Sequence, residues 1–205
     1  VIACDGINSK IRPHYAESFK PSLDPRKSKF IWLGLDQAIE AFTFHVKHTP
    51  WGIIQVHAYP YSATESTFLV EMHEDVWRGA GFDASESQSF PPGVSDDESV
   101  AKLAEIFAEE LGDAKLLTNN SKWITFNTVR NEKWSHENVV LLGDAAHTAH
   151  FSIGSGTKLA LEDALALAAN LHEQPDDLHA VLEAYEAERR PVALSLQRAA
   201  QASLE

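Results

Sequence analysis

Sulfur is nearly absent from this 205-residue chain: Cys4 is its one cysteine and Met72 its one methionine. A single thiol excludes an internal disulfide and suits a reducing cytoplasm, the compartment expected here; Cys4 itself is expected to pack as a small buried hydrophobe. Long apolar runs are missing too. Charge interrupts each one well short of the roughly 18 residues a membrane span needs, so no span is predicted. Positive charge is scarce, with 17 Lys and Arg against 30 Asp and Glu and a formal charge of −13. Phosphate recognition depends on clustered cations, so neither nucleic acid nor an anionic membrane is an expected partner. The densest basic stretch, Arg26-Lys27 with Lys29, reads as a solvated loop. The opening Val1-Ile2-Ala3-Cys4-Asp5-Gly6 has no initiator Met and no basic leader, so the chain is expected to begin mid-protein. Repeats and low-complexity tracts are lacking, and a 44% hydrophobic content suffices for a sizeable core.

What is present is a clear hydrophobic pattern. Residues 1–4 read as a buried strand stopping at Asp5-Gly6, and 9–12 as one helical turn, followed by a proline-containing loop. Segments 30–33, 41–46, 53–59 and 67–72 read as consecutive strands, which predicts an antiparallel sheet with one face buried and the other open to a ligand. Alternation places Phe42, Phe44 and Val46 on one face. A Ser-, Pro- and Gly-rich connector covers 82–97, a helix 98–111 stops at Gly112, and 122–130 is a further strand. A second buried strand, 138–142, ends at Gly143-Asp144, and helices are predicted over 157–171 and 176–203.

An apolar strand that stops at Asp, followed by a glycine-containing turn, presents a carboxylate and bare backbone N–H groups at the carboxyl end of a sheet, where ligands bind in open α/β folds. The pattern occurs twice, as Cys4-Asp5-Gly6-Ile7-Asn8-Ser9-Lys10-Ile11-Arg12 and as Leu142-Gly143-Asp144-Ala145-Ala146-His147. Either alone is weak. In this order and at this separation the pair resembles two fingerprints of the class A flavoprotein monooxygenases, the para-hydroxybenzoate hydroxylase-like family. The Asp-Gly-x-x-Ser-x-Val-Arg pattern matches at Asp5, Gly6, Ser9, Ile11 and Arg12. Gly-Asp-Ala-Ala-His matches outright at 143–147 and continues through Gly154 and Gly156 to Asp163. Phe151 departs from the family's usual Pro, and Lys158 from its usual Asn. Segments 30–34, 42–44, 56–61 and 66–72 look like the branch that hydroxylates aryl-CoA thioesters, such as salicylyl-CoA 5-hydroxylase and 2-aminobenzoyl-CoA monooxygenase.

The resemblance implies an α+β portion of that fold: a segment of the FAD-binding domain at 1–27, an antiparallel substrate-domain sheet with a helix at 28–130, and a second FAD-domain segment with C-terminal helices at 131–205. It also implies FAD as cofactor, NADH or NADPH as reductant, dioxygen as co-substrate, and an aromatic molecule or aryl-CoA thioester as the molecule hydroxylated. Cofactor contacts are expected from Asp5, Gly6 and Arg12, from Gly143 and Asp144, and from Gly154, Ser155, Gly156, Thr157 and Lys158 at a helix start whose partial positive charge favours an anionic flavin. Substrate contacts are expected from His45, His57, Tyr59 and Phe151, among aromatics that include Trp32, Phe42, Phe44 and Tyr61. His147 and His150 are expected to be structural rather than metal ligands.

No Gly-x-Gly-x-x-Gly turn precedes Asp5, so the missing N-terminal segment of the same protein is an expected partner and the isolated chain is expected to bind FAD weakly or not at all. Two alternatives stand beside the oxygenase: a non-catalytic binding module that keeps the fold, and another FAD enzyme of the same fold, such as a ring epoxidase or a geranylgeranyl reductase-like protein.

Overall fold

A computed structural model describes residues 1–86 and 88–202. In chain order its elements are β1 (Ile2–Ala3), α1 (Ile11–His14), α2 (Ala16–Phe19), β2 (Pro21–Leu35), β3 (Thr43–Thr49), β4 (Gly52–Pro60) and β5 (Ser66–His73). There follow α3 (Glu74–Gly79), α4 (Asp97–Ile106), α5 (Ala108–Leu111), β6 (Leu116–Leu117) and β7 (Ile124–Asn131). Last come β8 (Ser135–His136), β9 (Val139–Leu141), α6 (Gly156–Glu173) and α7 (Leu178–Ala202). They fall into two compact units, Val1–Pro25 with Asn127–Glu205, and Arg26–Phe126.

In the second unit the antiparallel order is β3-β4-β5-β2-β6, with β7 also paired to β2. Side chains alternate across such a sheet, so register decides which residues share a face. Ile31, Leu33 and Leu35 of β2, Ile54, Val56 and Ala58 of β4, and Phe68, Val70 and Met72 of β5 line one face and form a core with Trp77, Leu103 and Phe107. Burying each such side chain contributes roughly 1.5–3 kcal/mol. Helix α4 starts where the Asp96 carboxylate accepts the Ser99 N–H at 3.0 Å, a side-chain cap for an otherwise unpaired donor. The helix predicted over 98–111 breaks at Phe107, which is fully buried, and resumes as α5.

Strand β2 is far longer than predicted. It includes Asp24-Pro25-Arg26-Lys27-Ser28-Lys29, which composition alone assigns to a loop. Proline and charge are tolerated in a strand where the N–H is not needed and one face is open. Helix α3 is an element the sequence pattern did not reveal: six residues are too few for a helical period to register, and its start depends on the His73 ring accepting the Asp75 N–H at 3.2 Å. Strand β1 also departs from expectation. Only Ala3 is buried, while Val1, Ile2 and Cys4 are exposed, so Cys4 is not the buried hydrophobe its residue type suggested. Two residues pair at a sheet edge, and Ala3 alone points inward. The predicted last helix residue, Ser203, lies outside the described residues. No helix of the described residues is long and apolar enough to cross a membrane.

Candidate functional site

The two acidic strand ends lie side by side. Strands β1 and β9 are parallel, with Ala3 opposite Leu141, and the Leu142 N–H donates to the Ala3 carbonyl at 3.0 Å. Asp5 and Asp144 therefore follow neighbouring strands at the same end of the sheet. They do different work. Asp5 Oδ2 accepts the N–H groups of Lys10 at 2.7 Å and Ile11 at 3.3 Å, which closes its loop over the start of α1. Partial desolvation pushes its pKa up, but the bonds from Ser9, Lys10 and Ile11 and its own N–H outweigh that and hold it below the ordinary 3.8. A carboxylate with a lowered folded-state pKa stabilises the fold fully above its unfolded value and loses that contribution as pH falls through the folded one. Asp5→Ala is thus expected to lose about 1 kcal/mol near neutrality and to show a shallower decline in stability below roughly pH 4 than the parent, read by urea unfolding across that range.

Arg12 is buried, and its guanidinium reaches backbone: Nη2 donates to the Ile7 carbonyl at 2.6 Å and Nη1 to the Ala145 carbonyl at 3.0 Å. Burial works against its charge, and Asp5 works for it. The side chain pins the first motif loop to the second. That committed role is one the sequence pattern could not reveal, because a carbonyl acceptor carries no side-chain signature.

The second loop is braced from behind. Gly143 has a φ of +61°, and a Cβ there would sit 3.1 Å from the Ala160 Cβ, so the loop approaches α6 as only glycine allows. Asp163 of α6 is fully buried and accepts the Gly143 N–H at 3.3 Å and Arg189 Nε at 3.0 Å; its Oδ2 lies 2.7 Å from His147 Nε2. Arg189 also donates to Glu162 at 2.8 Å. His147 stacks on the buried Trp134 at 4.8 Å, and the Tyr185 hydroxyl donates to the Leu141 carbonyl at 3.2 Å. His150 accepts the Ser152 N–H at 3.2 Å, with Phe151 against its ring at 4.1 Å. His147 and His150 thus hold local structure.

Asp144 itself makes no hydrogen bond to the described residues. Desolvation raises its carboxyl above the ordinary carboxylate range, and nearby His147 offsets part of that. Its side chain is exposed, so the penalty comes from protein crowded to one side. Close in sequence, α6 opens without a side-chain cap. Ser155 at that position is buried, and its Oγ meets no hydrogen-bond partner among the described residues. The first N–H groups of this 18-residue helix lack intrahelical acceptors, and its dipole favours negative charge there. Gly154, Thr157 and Lys158 are exposed; Lys158 pairs with Glu162.

In the second unit, register sorts the candidate substrate residues. Phe44, His57, Leu69 and Trp32 form one row across β3, β4, β5 and β2, on the face opposite the core. Phe42 stacks on Tyr59 at 5.4 Å, Phe44 meets His57 edge-on at 4.7 Å, and His57 Nε2 lies 3.4 Å from Glu71 Oε2. His45 does not join them. It pairs with Val56, whose side chain is in the core, so His45 lies on the other face, near Glu110. His45 and His57, both expected to contact substrate, therefore lie on opposite faces of the sheet.

A match to the FAD binding domain family runs over residues 1–200. The chain belongs to that family. It is 43% identical over 204 residues to a salicyloyl-CoA 5-hydroxylase from Streptomyces sp, covering all of this chain and 39% of that protein. It is 47% identical over 198 residues to a 3-hydroxy-4-methyl-anthranilyl aryl-carrier-protein 5-monooxygenase from Streptosporangium sibiricum, covering 97% of this chain and 50% of that one. The chain thus spans half or less of the length of these curated relatives. Among solved structures, pqsL, a probable FAD-dependent monooxygenase from Pseudomonas aeruginosa, superposes with a TM-score of 0.68 at 24% identity over 98% of this chain and 54% of that one. At that identity the likeness establishes the fold, which is α+β with an antiparallel sheet as predicted.

Within this family fold, sequence reasoning left Arg189, Glu162, Glu71, Trp134 and Tyr185 without a role. Asp163 and Arg189 stand on different helices, 26 residues apart, and no spacing rule joins them. A weak signal existed: an Asp in the apolar stripe of α6 is too costly to bury unpaired, so a partner cation had to be nearby.

Proposed function

We propose that this chain is the flavin- and substrate-binding portion of an FAD-dependent monooxygenase that hydroxylates an aromatic ring carried as a thioester, with NADH or NADPH as reductant. The observation that carries the reading is the apposition of the Asp5 and Asp144 loops on adjacent parallel strands, tied together by Arg12. On this reading, Val1–Pro25 with Asn127–Glu205 is the cofactor side and Arg26–Phe126 the substrate side.

The residues fit the cofactor on physical grounds. Asp144 is a desolvated carboxylate without a protein donor, suited to accept from polyol hydroxyls. The buried Ser155 Oγ and the first N–H groups of α6 are donors without acceptors, suited to an electron-rich carbonyl edge. FAD, bound there and reduced by the nicotinamide, would supply the activation of dioxygen, one of whose oxygen atoms goes to the ring while the other leaves as water. The chain's own part is to bind, orient and polarise: the α6 start favours negative charge opposite it, and the Asp163–Arg189 pair keeps the Gly143 turn in place. The exposed Phe42 and Phe44, with the half-buried Tyr59 stacked on Phe42, suit an aromatic substrate, and the names of the two relatives point to an acyl-thioester carrier.

Adding FAD to the purified chain is expected to move the backbone amide resonances of 143–147 and 155–158 together, saturably even if weakly. Asp144→Ala should weaken that binding at least about tenfold, as for a lost charge-assisted hydrogen bond. Removing the desolvated charge also relieves the free chain, so Asp144→Asn should leave the flavin-free chain as stable as the parent or more so near neutral pH. FAD-induced shifts that fall outside these two stretches, or an Asp144→Ala chain that binds FAD as well as the parent, would sink the reading.

A further inference from the structure

Beside the aromatic row, the open face of the sheet carries a cleft of about 560 Å³, within the range of small-molecule sites. Its floor is low because of Gly34. Gly34 lies between Thr67 of β5 and Leu117 of β6, and a Cβ on it would come within 3.2 Å of the Leu117 Cβ. Backbone and the buried Thr67 therefore form the bottom, where another residue would fill the space. Trp32 and Tyr61 border the cleft, and they are 50% and 58% exposed. Two large rings left in water beside a glycine hollow are a cost to the free chain, and a flat apolar guest removes that cost.

The wall opposite is held still. The Ser121 hydroxyl donates to the Trp32 carbonyl at 2.6 Å and accepts the Asn119 N–H at 3.1 Å, and the Ser121 N–H donates to Ser95 Oγ at 3.0 Å. The cleft is therefore shaped before a ligand arrives, which reduces the ordering cost of binding. Its polar groups are the Thr67 and Thr118 hydroxyls and the Asn119 amide; the Tyr61 phenol is engaged by the Glu65 carboxylate outside the lining, and none of the eight residues that line the cleft carries a full charge. Hydroxyls and an amide can satisfy a neutral carbonyl or a ring hydroxyl. A carboxylate brought here would lose water and meet no cation.

We propose that this cleft binds an uncharged aromatic acyl group, a ring whose carbonyl is tied up as an amide or thioester, and discriminates against the free carboxylate. The inference rests on the aryl-thioester reading above for the identity of the acyl group. It offers a reason within the chain's own residues why the substrate arrives esterified: the carrier removes the charge that the cleft cannot accommodate.

The test needs no flavin. The chain is titrated with 2-hydroxybenzamide and, separately, with 2-hydroxybenzoate at neutral pH, following the five tryptophan indole N–H resonances, with Trp32 assigned through Trp32→Phe. The amide is expected to move the Trp32 signal saturably, and the benzoate to bind at least about tenfold more weakly. Tyr61→Ala, at a position exposed enough to leave folding intact, should weaken the amide about three- to tenfold with an unchanged melting temperature. Equal affinity for the two probes, no shift at Trp32, or an unaltered affinity in Tyr61→Ala would overturn the assignment. FAD binding is scored on amides of the other unit, so a failure here and a failure of the flavin reading are seen separately.

Discussion

Asp163→Ala is expected to lower the unfolding free energy by about 3–5 kcal/mol, the usual cost of removing one partner from a buried ion pair. The loss exceeds the worth of any single bond. Asp163 is wholly buried and serves three groups on two stretches of chain: the Gly143 N–H and His147 of the 143–147 loop, and Arg189 of α7. Truncation leaves a buried guanidinium with only Glu162 and an unpaired N–H at the motif turn. Asp163→Asn keeps the shape and one acceptor and should cost distinctly less. Pairing Asp163→Ala with Arg189→Met should cost less than the sum of the two single changes, because the second removes the charge that the first strands. Urea unfolding followed by circular dichroism measures these four variants against the parent. An Asp163→Ala chain within about 1 kcal/mol of the parent would mean that solvent reaches the site and the network braces nothing.

Arg12→Ala is expected to cost roughly 3 kcal/mol or more, from two charge-assisted hydrogen bonds of about 1.5 kcal/mol each at the low end. Arg12→Lys should recover less than half of it. One ammonium on a flexible stem cannot span the Ile7 and Ala145 carbonyls as the forked guanidinium does. The more telling readout is local. Amide hydrogen exchange should accelerate in both loops, 5–12 and 143–147, since the side chain is what joins them. Faster exchange in the first loop alone would show that the bond to Ala145 contributes nothing.

Much of the local structure was legible in the residues, and the failures have a common cause. Strand β3 alternates cleanly, β4 and β5 read as strand-like apolar segments between turns, and both motif turns announce themselves by an apolar run ending at Asp. What could not be read was anything set by register or by distant pairing. Alternation alone turns His45 away from Phe44, but whether His57 joins Phe44 on the open face depends on how the turn at Thr49-Pro50-Trp51-Gly52 aligns β3 with β4, and a shift of one residue there would turn His57 away. The charged start of β2 looked like a loop because strand pairing, which overrides composition, is supplied by residues far along the chain.

The sequence by itself determined the family, the strand-then-Asp turns at Asp5 and Asp144, and the helix opened by Gly154-Ser155-Gly156, because each is a short-range pattern whose chemistry lies in consecutive residues. Tertiary structure alone decided that Arg12 ties the two turns together, that Asp163 and Arg189 brace one of them, and that Trp32, Gly34 and Tyr61 border a cleft without charge. Those arrangements arise only when a parallel pair, two helices and an antiparallel register bring distant residues within a few ångströms, which no pattern along the chain encodes.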